Sequence, residues 1–328
     1  MKRSIYILMA VLLLLSNLTA CGSDKGTAKG NTDKLSIVTT IFPEYDWVRE
    51  ILGDKVKDAE VTMLLDNGVD LHSYQPTAQD IMKISSCDLF IYVGGESDGW
   101  VEDALHTAVN KDMTVINLLE VLGDRVKAEE IVEGMEHEDD DHDHDHEHEE
   151  EMDEHVWLSL RNAEVLCDAI ADALSKIDAD NAKVYENNVK AYKEQLAALD
   201  GKYTETVGSA AFKTVLFGDR FPFRYLTDDY GLTYYAAFSG CSAESEASFE
   251  TVLFLAGKVN ELKLPSIMTI EGANGKIAET VKNNTESKDQ QILTLDSMQS
   301  VTSKNVNEGA SYLKIMESNL EVLKKALN

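Results

Sequence analysis

Positive charge is what this 328-residue chain has least of: 30 Lys+Arg stand against 59 Asp+Glu, a formal charge of −29. Nucleic acid is excluded as a partner, because phosphate backbones are held by basic surfaces. The same deficit leaves no electrostatic hold on anionic lipid. Spanning length is missing at the start of the chain, where the apolar run Ile5–Ser16 falls short of the roughly 20 residues that cross a bilayer. HExxH and CxxC are absent, and no paired histidine motif falls on an expected helix, so the usual zinc-hydrolase and structural-zinc signatures are missing. What is present is core material. With 44% hydrophobic residues the chain is not globally disordered, and its length suits two modest lobes.

Residues Met1 to Gly22 begin with Lys2 and Arg3, continue through the apolar run, and end Leu18-Thr19-Ala20-Cys21-Gly22. A basic start, a short apolar stretch and small residues before a cysteine form a secretory signal. Leu-Thr-Ala-Cys resembles a bacterial lipobox, which makes residues 1–20 a signal peptide and Cys21 the site of lipidation. Residues 21–34 then read as a flexible tether. The mature protein is expected outside the cytoplasm, tied to a membrane through Cys21. Cys87, Cys167 and Cys241 remain, an odd number that permits no complete disulfide framework. Cys87 and Cys167 lie in apolar contexts and read as buried, inert thiols.

From Leu35 the pattern alternates between continuous apolar runs and amphipathic stretches. The strands are Leu35–Ile41, Val61–Leu65, Leu89–Val93 and Met113–Leu118, with helices at Tyr45–Leu52, Ala78–Ile84 and Gly99–Val109. The second half repeats the plan. Its strands are Thr214–Phe217, Thr233–Ala237, Ile267–Ile270 and Ile292–Leu295, and its helices lie at Pro222–Asp229, Ser248–Glu261, Lys276–Lys282 and Glu308–Leu327. Apolar strands separated by helices indicate parallel sheets covered on both faces. Between the halves, Tyr185, Val189, Tyr192, Leu196, Leu199 and Tyr203 recur in steps of three and four residues, one stripe of a long helix over Asn181–Val207. The expected fold is α/β: two similar lobes, each a parallel sheet flanked by helices, joined by one long helix. The lobes run over 35–178 and 209–328, and the linking helix over 179–208.

One segment belongs to no core. Glu136–Glu154 holds 13 acidic residues and five histidines, His137, His142, His144, His146 and His148. Nothing in it can be buried cheaply, so it reads as a loop within the first lobe. Imidazole and carboxylate together suit borderline divalent ions, zinc above all, bound weakly at several points. Without those 13 acids the remainder still carries −16, a general acidity that gathers cations.

In parallel α/β sheets ligands bind beyond the carboxyl ends of the strands. Three histidines lie outside the insert. His72 follows the second strand, His155 closes the insert, and His106 sits in a helix as a surface or packing residue. Carboxylates at strand ends are Asp219, Glu271 and Asp296. Two histidines from one lobe and acids from the other would enclose an ion.

These motifs together resemble the zinc- and manganese-specific solute-binding lipoproteins of bacterial ABC importers. His72 in HSYQP matches the first ligand motif of that family, His155 in DEHVWLSLRNA the second, and Asp296 in Leu295-Asp296-Ser297-Met298 the acidic fourth. The segment Ser311–Leu327 matches its C-terminal helix, and the resemblance extends from about Leu35 to Asn328. At the third ligand the chain departs: Arg220 occupies the register where members carry His or Glu, and arginine stays protonated and cannot ligate. Asp219 is the nearest substitute. Glu271 or an insert histidine are others, or Arg220 pairs with an acid and leaves three ligands plus water.

The resemblance implies a monomeric, non-enzymatic carrier. It captures Zn(II) between its lobes and delivers it to an ABC permease, with the linking helix limiting motion to local rearrangement near the ligands. Zinc takes four mixed N/O donors tetrahedrally, whereas Mn(II), the alternative cargo, prefers more oxygens. Two other classes fit parts of the pattern. One is a surface zinc buffer or adhesin acting through the insert. The other is a metallohydrolase, which lacks an obvious general base here.

Overall fold

The computed structural model describes residues 34–136, 151–242 and 246–328. Residues 1–33, which include the signal segment, Cys21 and all of the tether but Lys34, and the five insert histidines lie outside them. Leu35–Asn328 makes one compact unit.

The first lobe runs β1 (Leu35–Thr39), α1 (Phe42–Leu52), β2 (Ala59–Met63), α2 (Ala78–Ser86), β3 (Leu89–Tyr92), α3 (Val101–His106), β4 (Thr114–Asn117), α4 (Leu118–Leu122) and α5 (Leu160–Ile177). After α6 (Ala182–Ser209), the second lobe runs β5 (Thr214–Phe221), α7 (Arg224–Tyr230), β6 (Thr233–Ser239), α8 (Phe249–Leu262), β7 (Ser266–Ile270), α9 (Lys276–Asn284), β8 (Gln291–Leu295), α10 (Ser303–Asn307) and α11 (Tyr312–Ala326). The sheets are ordered β2-β1-β3-β4 and β6-β5-β7-β8, with every pairing parallel. The two lobes therefore share one strand order. In each, the strand order reverses between the first and third strands, which opens a crevice at the strand carboxyl ends. β2 and β6 are equivalent edge strands, so the loops that follow them, carrying His72 and Cys241, hold equivalent places in the two lobes.

The seven residues that α6 buries include all six of the apolar stripe, plus Val207. Its 28 residues span about 42 Å at 1.5 Å each. It lies against α1 and α5 of the first lobe and α7 and α11 of the second. The main core runs without interruption through both lobes, and a smaller cluster sits between the second sheet and α8–α9. Buried hydrogen bonds also cross between the halves. Trp157 Nε1 donates to the Ser297 carbonyl (2.9 Å), the Tyr312 hydroxyl to the Trp157 carbonyl (2.7 Å), and the Tyr225 hydroxyl to the Asp153 carbonyl (2.8 Å). A continuous core and buried ties of this kind resist wide opening.

Several elements differ from the sequence expectation: β5 runs on to Phe221, which puts Asp219 and Arg220 inside the strand and not beyond its end, and α4 has no sequence-derived counterpart. The helix expected over Glu308–Leu327 is preceded by the short α10 and starts only at Tyr312, because Gly309 takes φ +97, a left-handed conformation that breaks the helix. Helix α5 has no counterpart among the sequence-derived elements, although Leu160, Ala163, Leu166, Cys167, Ile170 and Leu174 repeat at helical spacing and are all buried. Ser159 caps it by accepting from the Asn162 amide. Cys87 and Cys167 are buried free thiols, and burial pushes Cys87 up to about 12.

Asp46 on α1 accepts from the Tyr312 amide at 2.8 Å. Burial nevertheless pushes its carboxyl up to about 7, the amide offsetting only part. Because the folded value lies above the ordinary one, the stability tied to this group is complete below about pH 4 and is lost as pH rises through 7. Asp46→Asn keeps an acceptor without the charge. It should stabilise the protein by about 2–4 kcal/mol at pH 8, with a much smaller gain at pH 4.5, read from thermal melts at the two pH values. Equal gains at both would contradict the titration.

Candidate metal centre

His72 enters the cleft from the loop after β2. Asp70 Oδ1 accepts the His72 amide at 3.1 Å and opens a single tight turn over Leu71–Ser73. His155 is fixed in the same manner: Asp153 Oδ1 accepts both its amide (2.9 Å) and its ring Nδ1 (3.0 Å). The His72 Nδ1 is occupied too, 2.8 Å from Ser97 Oγ and 3.4 Å from Glu154 Oε2. With an outer oxygen beside each Nδ1, the tautomer protonated at Nδ1 leaves both Nε2 lone pairs facing the same point. The two Nε2 atoms are 3.1 Å apart. Two nitrogens bound to one tetrahedral zinc at about 2.0–2.1 Å would lie roughly 3.3 Å apart, so the pair is already near the spacing a shared ion demands. Burial and the neighbouring His155 push His72 down to about 3, which keeps its ring neutral and its lone pair available across the physiological range.

A third potential ligand comes from the other lobe. Among the described residues, His72, His155 and Cys241 form the group whose potential ligand atoms all lie within 4.8 Å of one another. Cys241 follows β6, its amide donating to Glu129 Oε1 at 3.0 Å. Burial, reinforced by Glu129, Asp153 and Glu154, pushes its thiol strongly up. Gly240 makes the approach sterically feasible: a Cβ there would sit 2.9 Å from His155 Cε1 and 3.0 Å from the Phe221 carbonyl.

The other sequence-nominated residues lie outside this group. Asp219 turns its carboxylate onto the backbone, accepting from the amides of Ile270 (3.1 Å) and Arg220 (2.9 Å). Arg220 pairs with an acid, its Nη2 2.6 Å from Asp70 Oδ2, and its Nη1 donates to the Ser242 carbonyl at 3.2 Å. Burial would raise Asp70, but the guanidinium outweighs it and holds that carboxyl below its usual range. Glu271 grips the loop after β8, accepting from the Ser297 amide and hydroxyl (both 2.7 Å) and the Gln299 amide (3.1 Å). Asp296 sits in that loop, its own amide and carbonyl clamped by Asn319 and its Oδ1 accepting from Met298. Burial raises both acids, Glu271 to about 7 with Asp296 adding to the effect. Cys241 is the potential ligand that sequence reasoning missed. The available signal was its place just past the strand Thr233–Ala237, the criterion that had nominated Asp219, Glu271 and Asp296 among carboxylates alone.

Two like lobes with parallel sheets, one long connecting helix, and imidazoles of one lobe facing a thiol of the other define a two-lobed α/β protein with a group of potential metal ligands between its lobes. Residues 37–326 match the family described as zinc-uptake complex component A, periplasmic, and the chain belongs to that family. It is 35% identical over 325 residues to the zinc-binding lipoprotein AdcA of Streptococcus pneumoniae serotype 4, covering 98% of this chain but only 61% of that protein. It is 33% identical over 326 residues to the high-affinity zinc uptake system protein ZnuA of Bacillus subtilis, covering 98% of this chain and 97% of that one. Its structure is similar to the Zn(II)-bound ZnuA-like domain of S. pneumoniae AdcA, with TM-score 0.70 and 30% identity over 90% of this chain and 99% of that domain. The chain thus spans about three-fifths of AdcA and nearly all of ZnuA.

Proposed function

We propose that this chain is the lipid-anchored, extracytoplasmic receptor of a metal importer, capturing Zn(II) between its lobes and handing it to a membrane permease. The observation that carries the reading is the facing pair of Nε2 atoms, 3.1 Å apart, each ring oriented by an oxygen on its Nδ1. His72 and His155 are the nitrogen donors. Asp296 is the oxygen donor that turns in when the ion arrives, since a half-buried carboxylate with one internal amide bond gains most from a cation. The relatives' printed names, zinc-binding and zinc uptake, point to the same cargo. Two imidazoles favour zinc over manganese.

The His-rich insert serves as a collector. Its stems are joined near the centre, where the Glu129 amide donates to the Glu151 carbonyl (2.7 Å) and the Asp153 amide to the Lys127 carbonyl (2.8 Å). The second stem runs directly into Asp153 and His155. Ions held weakly on the insert are thereby delivered at the mouth of the cleft, and release needs only movement of the ligand loops because the lobes share a core.

Calorimetric titration of the protein from Gly22 onward tests this. Replacing residues 137–150 with a short Gly-Ser linker should remove weak, multiple zinc binding and leave one tight site. Loss of all tight binding with the insert would make the protein a surface zinc buffer instead.

A further inference from the structure

We propose that Cys241 is a thiolate ligand to the cargo ion, and that Arg220 is the positioning residue that holds it there, so that the centre selects thiophilic ions over manganese. This rests on the carrier reading above and specifies its donor set.

Four observations converge on it. Cys241 shares the 4.8 Å group with both imidazoles. Gly240 has no side chain where one would strike the His155 ring. The Cys241 backbone is pinned on both sides, by Glu129 at its own amide and by Arg220 at the carbonyl of the next residue, Ser242. Finally, Arg220 spans the two donor loops, because the same guanidinium that holds Ser242 also pairs with Asp70, and Asp70 holds the His72 amide. A residue unable to ligate thus stands at the register where a ligand is expected, and it ties the loop bearing one donor to the loop bearing another. Cys87 and Cys167 are buried in the first lobe's core, so neither competes for the ion.

The chemistry follows. On binding, the Cys241 S–H bond breaks, the proton passes to solvent, and the sulfur forms a bond to the divalent ion; no oxidation takes place. Two imidazoles and a thiolate make a borderline-to-soft set that suits zinc, cobalt(II) and cadmium, whereas manganese prefers oxygen. With Asp296 the shell reaches four, the number zinc favours.

Cobalt(II), a spectroscopic stand-in for zinc, tests the proposal on the unsubstituted protein from Gly22 onward. A thiolate-to-cobalt charge-transfer band in the near ultraviolet, saturating at one equivalent and displaced by zinc, is the expected result. Cys241→Ser should abolish the band and weaken zinc binding by about 100-fold or more, with manganese affinity changing less than about threefold because little sulfur bonding is lost. Arg220→Gln should keep the band while weakening zinc about 10-fold, as loss of an outer-shell support does. Tight zinc and cobalt binding without the sulfur band would overturn Cys241 and leave the carrier reading intact, as would a Cys241→Ser protein that keeps the band. Absence of tight zinc binding in the unsubstituted protein would overturn both.

Discussion

Replacing His72 with alanine should cost the protein its tight zinc site, lowering affinity by about a thousandfold. Loss of an outer-shell partner alone costs 10–100-fold in metal affinity, and His72 contributes a donor itself. The Nε2 of His155 would face the ion without its partner 3.1 Å away, and the outer oxygens of Ser97 and Glu154 would have no ring to orient. The fold should barely notice. The His72 side chain, only 10% exposed, sits on a loop lining the cleft, and its main structural bond, amide to Asp70, is made by the backbone. Competition against a zinc-chelating dye, run beside a thermal melt without metal, separates the two effects. A variant that binds zinc within tenfold of the parent would remove His72 from the centre. A variant that binds poorly because it is unfolded would show that in the melt.

Trp157→Ala should give the largest loss of stability, about 3–5 kcal/mol. The indole is completely buried. It donates to the Ser297 carbonyl in the opposite lobe, packs 5.2 Å from the His155 ring, and its backbone carbonyl accepts from Tyr312. Alanine leaves a cavity and an orphaned buried carbonyl together. Over a unit of this size, that corresponds to a fall of roughly 10 °C in melting temperature. Trp157→Phe keeps most of the volume and loses the Nε1 bond, so its loss should be about 1–2 kcal/mol. Because Ser297 adjoins Asp296, the phenylalanine variant should also bind zinc more weakly than its modest destabilisation alone would predict. If both variants melt like the parent, Trp157 is not what joins the lobes.

The fold was legible because its signals are local. An apolar strand buried on both faces must read as a continuous run, and a helix with one buried face must repeat every three to four residues. Each of those patterns sits in consecutive residues. The stripe from Tyr185 to Tyr203 is buried along its whole length. The breakpoint at Gly309 was not legible, since glycine within an amphipathic pattern only lowers helix propensity until the flanking packing selects its left-handed conformation. The two histidines were nominated one by one from their motifs, and their separation of 83 positions gives no hint that their Nε2 atoms lie 3.1 Å apart.

By itself the sequence determined the two α/β lobes, the long connector between them, the scarcity of basic charge, and the chemical capacity of His72 and His155 to hold a metal ion. Only the tertiary structure decided what Asp219, Arg220, Glu271 and Cys241 do. A carboxylate at a strand end serves equally well as a ligand or as an acceptor for backbone amides, and its choice depends on which amides packing brings near. For Asp219 those were Ile270 and Arg220; for Glu271 they were Ser297 and Gln299. A thiol in a sequence is equally ambiguous. Cys241 became part of a three-residue centre because β6 ends beside the His155 ring, with only a glycine between them, a distance in space that no spacing along the chain encodes.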